Sequence, residues 1–370
     1  MNQSAAASGS VVLAGGGTAG HTSPLIATGL ELRRLDPAVA VTALGTARGL
    51  ETTVVPAAGL DLELIPPVPM PRRVGKDLLL VGPRLLQAVQ ATVGLLRRTQ
   101  ADVVLGFGGY VSTPAYLAAR RLGLPIVIHE QNVLPGLANK LAARLTRHVY
   151  TSFPQTPLPH ALCIGLPMRR AITDLDRAAR QRDARIRLQL HPELRTLLVS
   201  GGSQGALQIN NAVTGAWPEL LGRKIQVLHV LGPNNLTPDI VRSVDEQTSA
   251  VYQPVAYVDQ MEQAYAAADL MLARSGAGTV LETAAVGLPA VFVPYPHGNG
   301  EQARNAELVV NAGGGIMLAD SNCTSAWVAQ EIPALFSHPN RLAGMRNALA
   351  GVARLDAATV LASRVLEVIR

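Results

Sequence analysis

Short apolar runs alternate with longer segments of helical period along the chain. Runs of four to six apolar residues bounded by Gly, Pro or polar clusters predict buried strands. In the first half they fall at 11–14, 39–44, 62–65, 103–105, 126–128 and 148–151. In the second half they fall at 196–200, 225–230, 251–255, 270–273 and 290–293. Apolar positions of helical spacing lie between most of them, among others at 23–35, 83–98, 136–146, 204–216, 277–286 and 301–312. Strands alternating with helices predict parallel sheets covered on both faces, an α/β class.

The pattern restarts once. A strand, a glycine-rich turn and a helix open the chain at 11–35, and the same design returns at 196–216. Two starts of this kind predict two Rossmann-like, doubly wound domains. Pro154, Pro157, Pro159 and Pro167 crowd 152–168, which reads as the join. The expected domains are therefore 1–165 and 166–354. The final helix, about 355–369, is compatible with packing on either. Ligands of such sheets sit at the carboxyl ends of the strands.

The glycine-rich turns carry the first chemistry. GGGTAGH (15–21) has the form G-x-G-x-x-G after a strand and before a helix, a dinucleotide fingerprint when read alone. A nicotinamide enzyme needs an acid at the end of the second strand to hold the ribose. Here that strand runs into Gly45 and Thr46, and the first acid is Glu51. The oxidoreductase reading is disfavoured for that reason. Bare amides at a helix start remain an anion site without any nicotinamide. GGSQGA (201–206) is the stronger phosphate candidate, since Ser203 adds a hydroxyl. GFGGY (106–110) follows a third strand end, where glycine permits close approach of a ligand.

RSGAGTVLE (274–282) makes another bare helix start. Gly278, Thr279 and Glu282 share a helical face, which places a carboxylate one turn inside an anion site, suited to vicinal ribose hydroxyls. HGNGEQ (297–302) puts His, Asn, Glu and Gln in a Pro/Gly-rich loop suited to sugar hydroxyls.

Composition narrows the partners. Aromatic residues make up 4% of the 370 residues, too few for the stacking platforms of single-stranded nucleic-acid binding. The net charge is +6, and only Lys76, Lys140 and Lys224 among 32 basic residues are lysine. An anionic partner follows: a nucleotide, a phosphorylated substrate or an acidic membrane surface. Cys163 and Cys323 have neither a disulfide framework nor metal-ligand spacing, which fits a reducing compartment. The N-terminus lacks a signal peptide's basic start and apolar core, and no apolar run is long enough to span a bilayer.

GGGTAGH, GFGGYVSTPA, HEQN, GGSQGA, RSGAGTVLE and HGNGEQ, in this order and spacing, resemble the peptidoglycan N-acetylglucosaminyltransferases that convert lipid I to lipid II. The resemblance runs from Gly15 to Asn305. It implies a GT-B fold, with two Rossmann-like domains facing a central cleft. It implies inverting transfer of N-acetylglucosamine from UDP-GlcNAc to the C4 hydroxyl of the muramoyl sugar, with UDP released. Cell-wall biogenesis, and with it cell shape and division, would be the setting.

By the same resemblance the second domain holds the donor. Ser203 would contact its phosphates and Val258 its uracil. Glu282 would bind the ribose, and Ala277, Gly278, Thr279, Val280 and Leu281 would line the phosphate and sugar region. Gln302 and Asn132 would reach the sugar, Thr18, Ala19 and Gly20 would bind substrate, and Arg169 matches a family arginine after the join. Ala19, Leu166 and Glu301 depart from the commonest pattern, where Gly, Asn and Gln stand.

His21 is the candidate base, because an imidazole titrates near neutral pH. His129 and Glu130 are second choices. The one Asp-x-Asp, Asp174 and Asp176, sits in an arginine-rich helix start and reads as dipole complement; no metal site and no cofactor are expected. Residues 72–98 mix Arg72, Arg73, Lys76, Arg84, Arg97 and Arg98 with Leu78, Leu79, Leu80, Val81, Leu85 and Leu86. That suits peripheral docking to anionic lipid at the cytoplasmic face, with Lys140, Arg144 and Arg147 on one helical face adding to it. The rival readings are another GT-B transferase, a UDP-GlcNAc epimerase and a non-catalytic nucleotide-binding module.

Overall fold

The computed structural model describes residues 9–47, 49–68, 81–202 and 205–369. The chain divides into two compact units, Met1–Arg169 with Arg354–Arg370, and Arg170–Ala353.

The first unit is built on seven parallel strands: β1 (Ser10–Ala14), β2 (Ala40–Gly45), β3 (Asp61–Leu64), β4 (Val103–Gly106), β5 (Ile126–Glu130), β6 (His148–Thr151) and β7 (Ala161–Cys163). Their order is β3-β2-β1-β4-β5-β6-β7. The central strands are buried along their whole length because helices cover both faces. Val12, Ala14, Val104 and Ile128 point into one core layer with Ala115 and Tyr116. Val11, Leu13, Val103, Leu105 and Val127 point into the other. The alternation is the period of two that a strand imposes.

The helix Ala357–Ile369 completes this second layer with Leu361, Ala362 and Val365. Its Thr359 hydroxyl donates to buried Glu31 at 2.6 Å. Chain-terminal apolar residues thus belong to the first core, a choice the local pattern left open. The proline-crowded stretch 152–168, read as a join, contributes β7, which pairs with β6. The unit division itself falls between Arg169 and Arg170.

The second unit repeats the plan with β8 (Arg195–Ser200), β9 (Ile225–Val230), β10 (Ser243–Val244), β11 (Val251–Val255), β12 (Leu270–Ala273), β13 (Ala290–Phe292) and β14 (Gly315–Met317). The order is β10-β11-β9-β8-β12-β13-β14, and only β10 is antiparallel among its described pairings. Leu197, Val199, Val227, Leu272 and Val291 pack with Ile209, Val213, Ile332 and Phe336. The pattern missed β7, β10 and β14, which have two or three residues each, too few for an alternation to register.

In each sheet the chain reverses its strand order once, between β1 and β4 and between β8 and β12. Crevices open at the carboxyl ends of strands at such reversals. GGGTAGH, GFGGY, GGSQGA and RSGAGTVLE stand after these four strands, and HGNGEQ follows β13.

Candidate functional site

In the first unit β1 ends at Ala14 and the turn GGGTAG leads into the helix Ala19–Leu35. That helix begins four residues earlier than its apolar period suggests, so His21 lies in its first turn. Thr18 and Gly20 are exposed, and Ala19 is half-buried.

The underside of the turn is filled by Glu51. This residue is fully buried at the start of the helix Glu51–Ala57. The Gly17 N–H donates to its Oε2 at 3.0 Å, and the Thr46 N–H to its Oε1 at 3.0 Å. A Cβ at Gly16 would stand 2.7 Å from Oε1, so only glycine lets backbone and carboxylate approach this closely. The acid noted only for being too late in the sequence to hold a ribose is thus folded into the fingerprint itself. The Tyr110 hydroxyl, 3.2 Å from Thr46 Oγ1, ties GFGGY to the same cluster.

His21 Nδ1 lies 2.9 Å from Thr18 Oγ1. Burial pushes its imidazole below the ordinary 6.5, and the Glu51 charge opposes part of that shift. Gly108, at φ +86°, passes between two functional groups. A Cβ there would lie 3.4 Å from His21 Nε2 and 3.2 Å from Asn139 Nδ2.

HEQN closes β5. The buried His129 has its Nε2 2.9 Å from the Gly165 carbonyl, and burial pushes it down to about 4. It is neutral near pH 7 and holds the start of the connection to the second unit. Glu130, also buried, accepts from Asn132 N–H (3.0 Å), Gly136 N–H (3.0 Å) and Asn139 Nδ2 (2.9 Å). Burial raises its pKa against the pull of those donors. With both oxygens engaged inside the protein, it is a scaffold for Asn132 and Asn139. The Tyr116 hydroxyl extends the network by donating to Asn139 Oδ1 at 2.7 Å. Asn132 itself is half-buried at the carboxyl end of β5. Asn139 carried no signal in the sequence, because its role depends on packing beneath a loop thirty residues earlier.

In the second unit GGSQGA follows β8. Ser203 and Gln204 lie outside the described residues. The helix begins at Leu207, later than the Gln204 expected from the pattern. No described atom comes within 4 Å of where a Cβ on Gly202 would stand. The helix is anchored from below: Asn210 Nδ2 donates to the Leu231 carbonyl (2.9 Å), and His229 Nε2 is 3.3 Å from Asn210 Oδ1. Burial pushes His229 down to about 3.

RSGAGTVLE is the neighbour of GGSQGA through the sheet, since Ala273 pairs with Ser200. Gly276 caps the helix Ala277–Ala285. Gly278, Thr279 and Glu282 are half-buried on one face, whereas Ala277, Val280 and Leu281 are buried in the core. Val280 and Leu281 therefore have only backbone to offer a ligand. The Tyr265 hydroxyl donates to Glu282 Oε2 at 2.7 Å; this partner comes from a separate helix and was not read from the motif. The Ser275 hydroxyl is buried with no partner among the described residues.

Arg274 shapes the adjoining loop. Its Nη1 donates to Val293 and Pro294 carbonyls and pairs with Asp320 at 2.5 Å. Its guanidinium lies 5.5 Å over the Tyr295 ring. Gln302 Oε1 accepts from Tyr295 N–H at 3.0 Å. Val258 is half-buried just beyond β11, and Arg169 ends the first of the two segments that form the first unit.

Asp176 caps the helix Arg177–Arg187 by accepting the Ala179 N–H at 3.0 Å. No metal-binding cluster occurs among the described residues. No described helix is long and apolar enough to cross a membrane. Of the basic–apolar segment, 72–80 lie outside the described residues. The rest enters the helix Val81–Arg98, which buries Val89, Val93 and Leu96 and leaves Leu86 55% exposed. Lys140, Arg144 and Arg147 are exposed, but the helix Leu137–Ala142 ends before the last two, so they do not share one helical face.

Residues 11–151 match the N-terminal domain of glycosyltransferase family 28, and residues 196–361 match its C-terminal domain. The chain belongs to glycosyltransferase family 28. It is 54% identical over 357 residues to a protein of Nocardioides sp., covering 96% of this chain and 97% of that one. A protein of Cutibacterium acnes is also 54% identical, covering 96% of each chain. Both are named UDP-N-acetylglucosamine–N-acetylmuramyl-(pentapeptide) pyrophosphoryl-undecaprenol N-acetylglucosamine transferase. The crystal structure of Acinetobacter baumannii MurG superposes with a TM-score of 0.70 at 24% identity, covering 97% of this chain and 99% of that one. Family 28 membership and this likeness make the two units the paired Rossmann-like domains of a GT-B fold.

Proposed function

We propose that this family 28 glycosyltransferase moves N-acetylglucosamine from UDP-GlcNAc to the C4 hydroxyl of the muramoyl sugar of lipid I. The products are lipid II and UDP. The observation that carries the reading is 54% identity over 96% of the chain to enzymes named for this transfer.

The second unit takes the donor. Glu282 accepts the two ribose hydroxyls while Tyr265 fixes its second oxygen. The amides at Gly278 and Thr279, with the turn 201–206 and Ser203, receive the diphosphate, as helix starts do. Val258 lies against uracil. Gln302, whose Oε1 is engaged, offers its Nε2 to a sugar hydroxyl; Asn132 and Arg169 are the substrate-binding candidates at the end of β5 and near 170. The acceptor meets Thr18, Ala19 and Gly20.

The acceptor oxygen attacks the anomeric carbon as the bond from that carbon to the UDP oxygen breaks. The anomeric centre inverts, and the hydroxyl proton passes to His21. A lowered imidazole pKa keeps His21 unprotonated and ready to accept that proton. Backbone dipoles meet the charge that develops on UDP. The enzyme works as a peripheral protein on the cytoplasmic face of the membrane, held by basic and apolar groups around the helix Val81–Arg98.

UDP release from UDP-GlcNAc, measured with and without a short-chain lipid I analogue, tests the transfer. Release that requires the acceptor is expected, and release or epimerisation without it sinks the reading. Sedimentation with anionic vesicles at low and high salt tests the membrane part; no binding at low salt removes it.

A further inference from the structure

We propose that the Glu51 carboxylate permanently occupies the inner anion seat of the first glycine-rich turn and thereby bars a diphosphate from it. The proposal deepens the reading above, since it rests on the nucleotide belonging to the second unit.

Backbone amides converging at a strand–turn–helix start attract a negative group. Here that group is internal. Its two oxygens separately take the N–H groups of Gly17 and Thr46, each at 3.0 Å, and the Thr46 hydroxyl adds a third donor at 3.4 Å. A fully buried carboxylate is tolerated only where donors replace water; here they are Gly17 in the turn and Thr46 just beyond β2. A phosphate entering the same seat would meet a like charge at contact distance and would find both amides taken. Gly16 admits no side chain there because the carboxylate already fills the space. What remains for an acceptor is the outer half: the Thr18 hydroxyl and the helix start at Ala19 and Gly20. At Gly202, in the second turn, no described atom fills the corresponding space.

The test is an amide-resonance titration of the nitrogen-15-labelled full chain, Glu51→Gln and Glu51→Ala, with inorganic pyrophosphate and, separately, with UDP. In the unaltered protein pyrophosphate leaves the Gly17 and Thr46 amides in place. In Glu51→Ala both move saturably, with affinity at least about tenfold above that of the unaltered protein, as removal of one contacting like charge allows. Glu51→Gln keeps the size of the side chain, but its amide oxygen accepts from only one of the two N–H groups. It frees the other and is expected to move less. Movement of Gly17 and Thr46 in the unaltered protein overturns the proposal, whether or not the variants fold. So does silence of both amides in a folded variant. UDP should shift Gly202 and Gly205 in all three proteins. If it shifts neither, the donor assignment fails while the pyrophosphate result still decides the role of Glu51.

Discussion

The two glycine-rich turns have the same local design and opposite interiors. Each follows a parallel strand whose last five residues are buried, stands at the reversal point of its sheet and opens a helix. In the first, a carboxylate accepts the N–H of Gly17 in the turn and that of Thr46 just beyond β2. In the second, the space beside Gly202 is open among the described residues, and the support comes from below, through Asn210 and His229. A glycine fingerprint therefore specifies a shape of backbone, and what fills that shape depends on a side chain from elsewhere. Under the proposed function the two turns have different work, acceptor and base on one side and nucleotide on the other.

The largest effect that would sharpen this contrast is at His21. His21→Ala should lower kcat by a factor on the order of a hundred to ten thousand, the usual contribution of a positioned base. UDP affinity by calorimetry should stay unchanged; a parallel loss of UDP binding would break the division of labour. Next is pH. A base must be unprotonated, so activity rises with pH through its pKa. Burial lowers that pKa, which places the acid limb of kcat/KM below pH 6.5. A limb above that value would assign the proton transfer to another group.

Glu282→Ala should weaken UDP-GlcNAc binding by about ten- to a hundredfold, the range for losing hydrogen bonds to a charged group. The acceptor KM should be unaffected. Removing only the Tyr265 hydroxyl, as Tyr265→Phe, should raise the donor KM by a few-fold, in line with a net hydrogen bond of about 1 kcal/mol.

Stability against pH probes both units together. His129 and His229 are held near 4 and near 3 in the folded protein, below the ordinary 6.5. As pH falls through 6.5 the unfolded chain takes up protons that the folded chain refuses. Stability is lost from there down to the folded values, by an amount on the order of a few kcal/mol per buried imidazole. Urea unfolding at about pH 7 and about pH 5 measures the slope; a flat profile would mean that the folded protein accommodates these rings in their protonated form.

Much of this was legible in the sequence because it is local. The strands from β1 to β9 that exceed three residues announce themselves as apolar runs, and Gly278, Thr279 and Glu282 share a face by helical spacing alone. Asp176 reads as dipole complement from its place at the start of an arginine-rich helix, and the structure adds that its side chain caps that helix. The Glu130 network was not legible, since Asn139 lies nine residues beyond Glu130 on another element and Tyr116 enters from a third. Nor was Tyr265, seventeen residues before the Glu282 that it holds.

The sequence by itself determined the α/β class and the repeat of the strand–turn–helix design, which follow from backbone periodicity, and it carries the motifs whose order resembles the family. Only the tertiary structure decided which core receives the last helix, that 152–168 adds a strand to the first sheet, and that Glu51, thirty-four residues from Gly17, fills the first turn. Those outcomes depend on contacts between residues far apart in the chain. A carboxylate reads the same in sequence whether it ends in water or under a glycine turn; burial among specific donors is what separates the two.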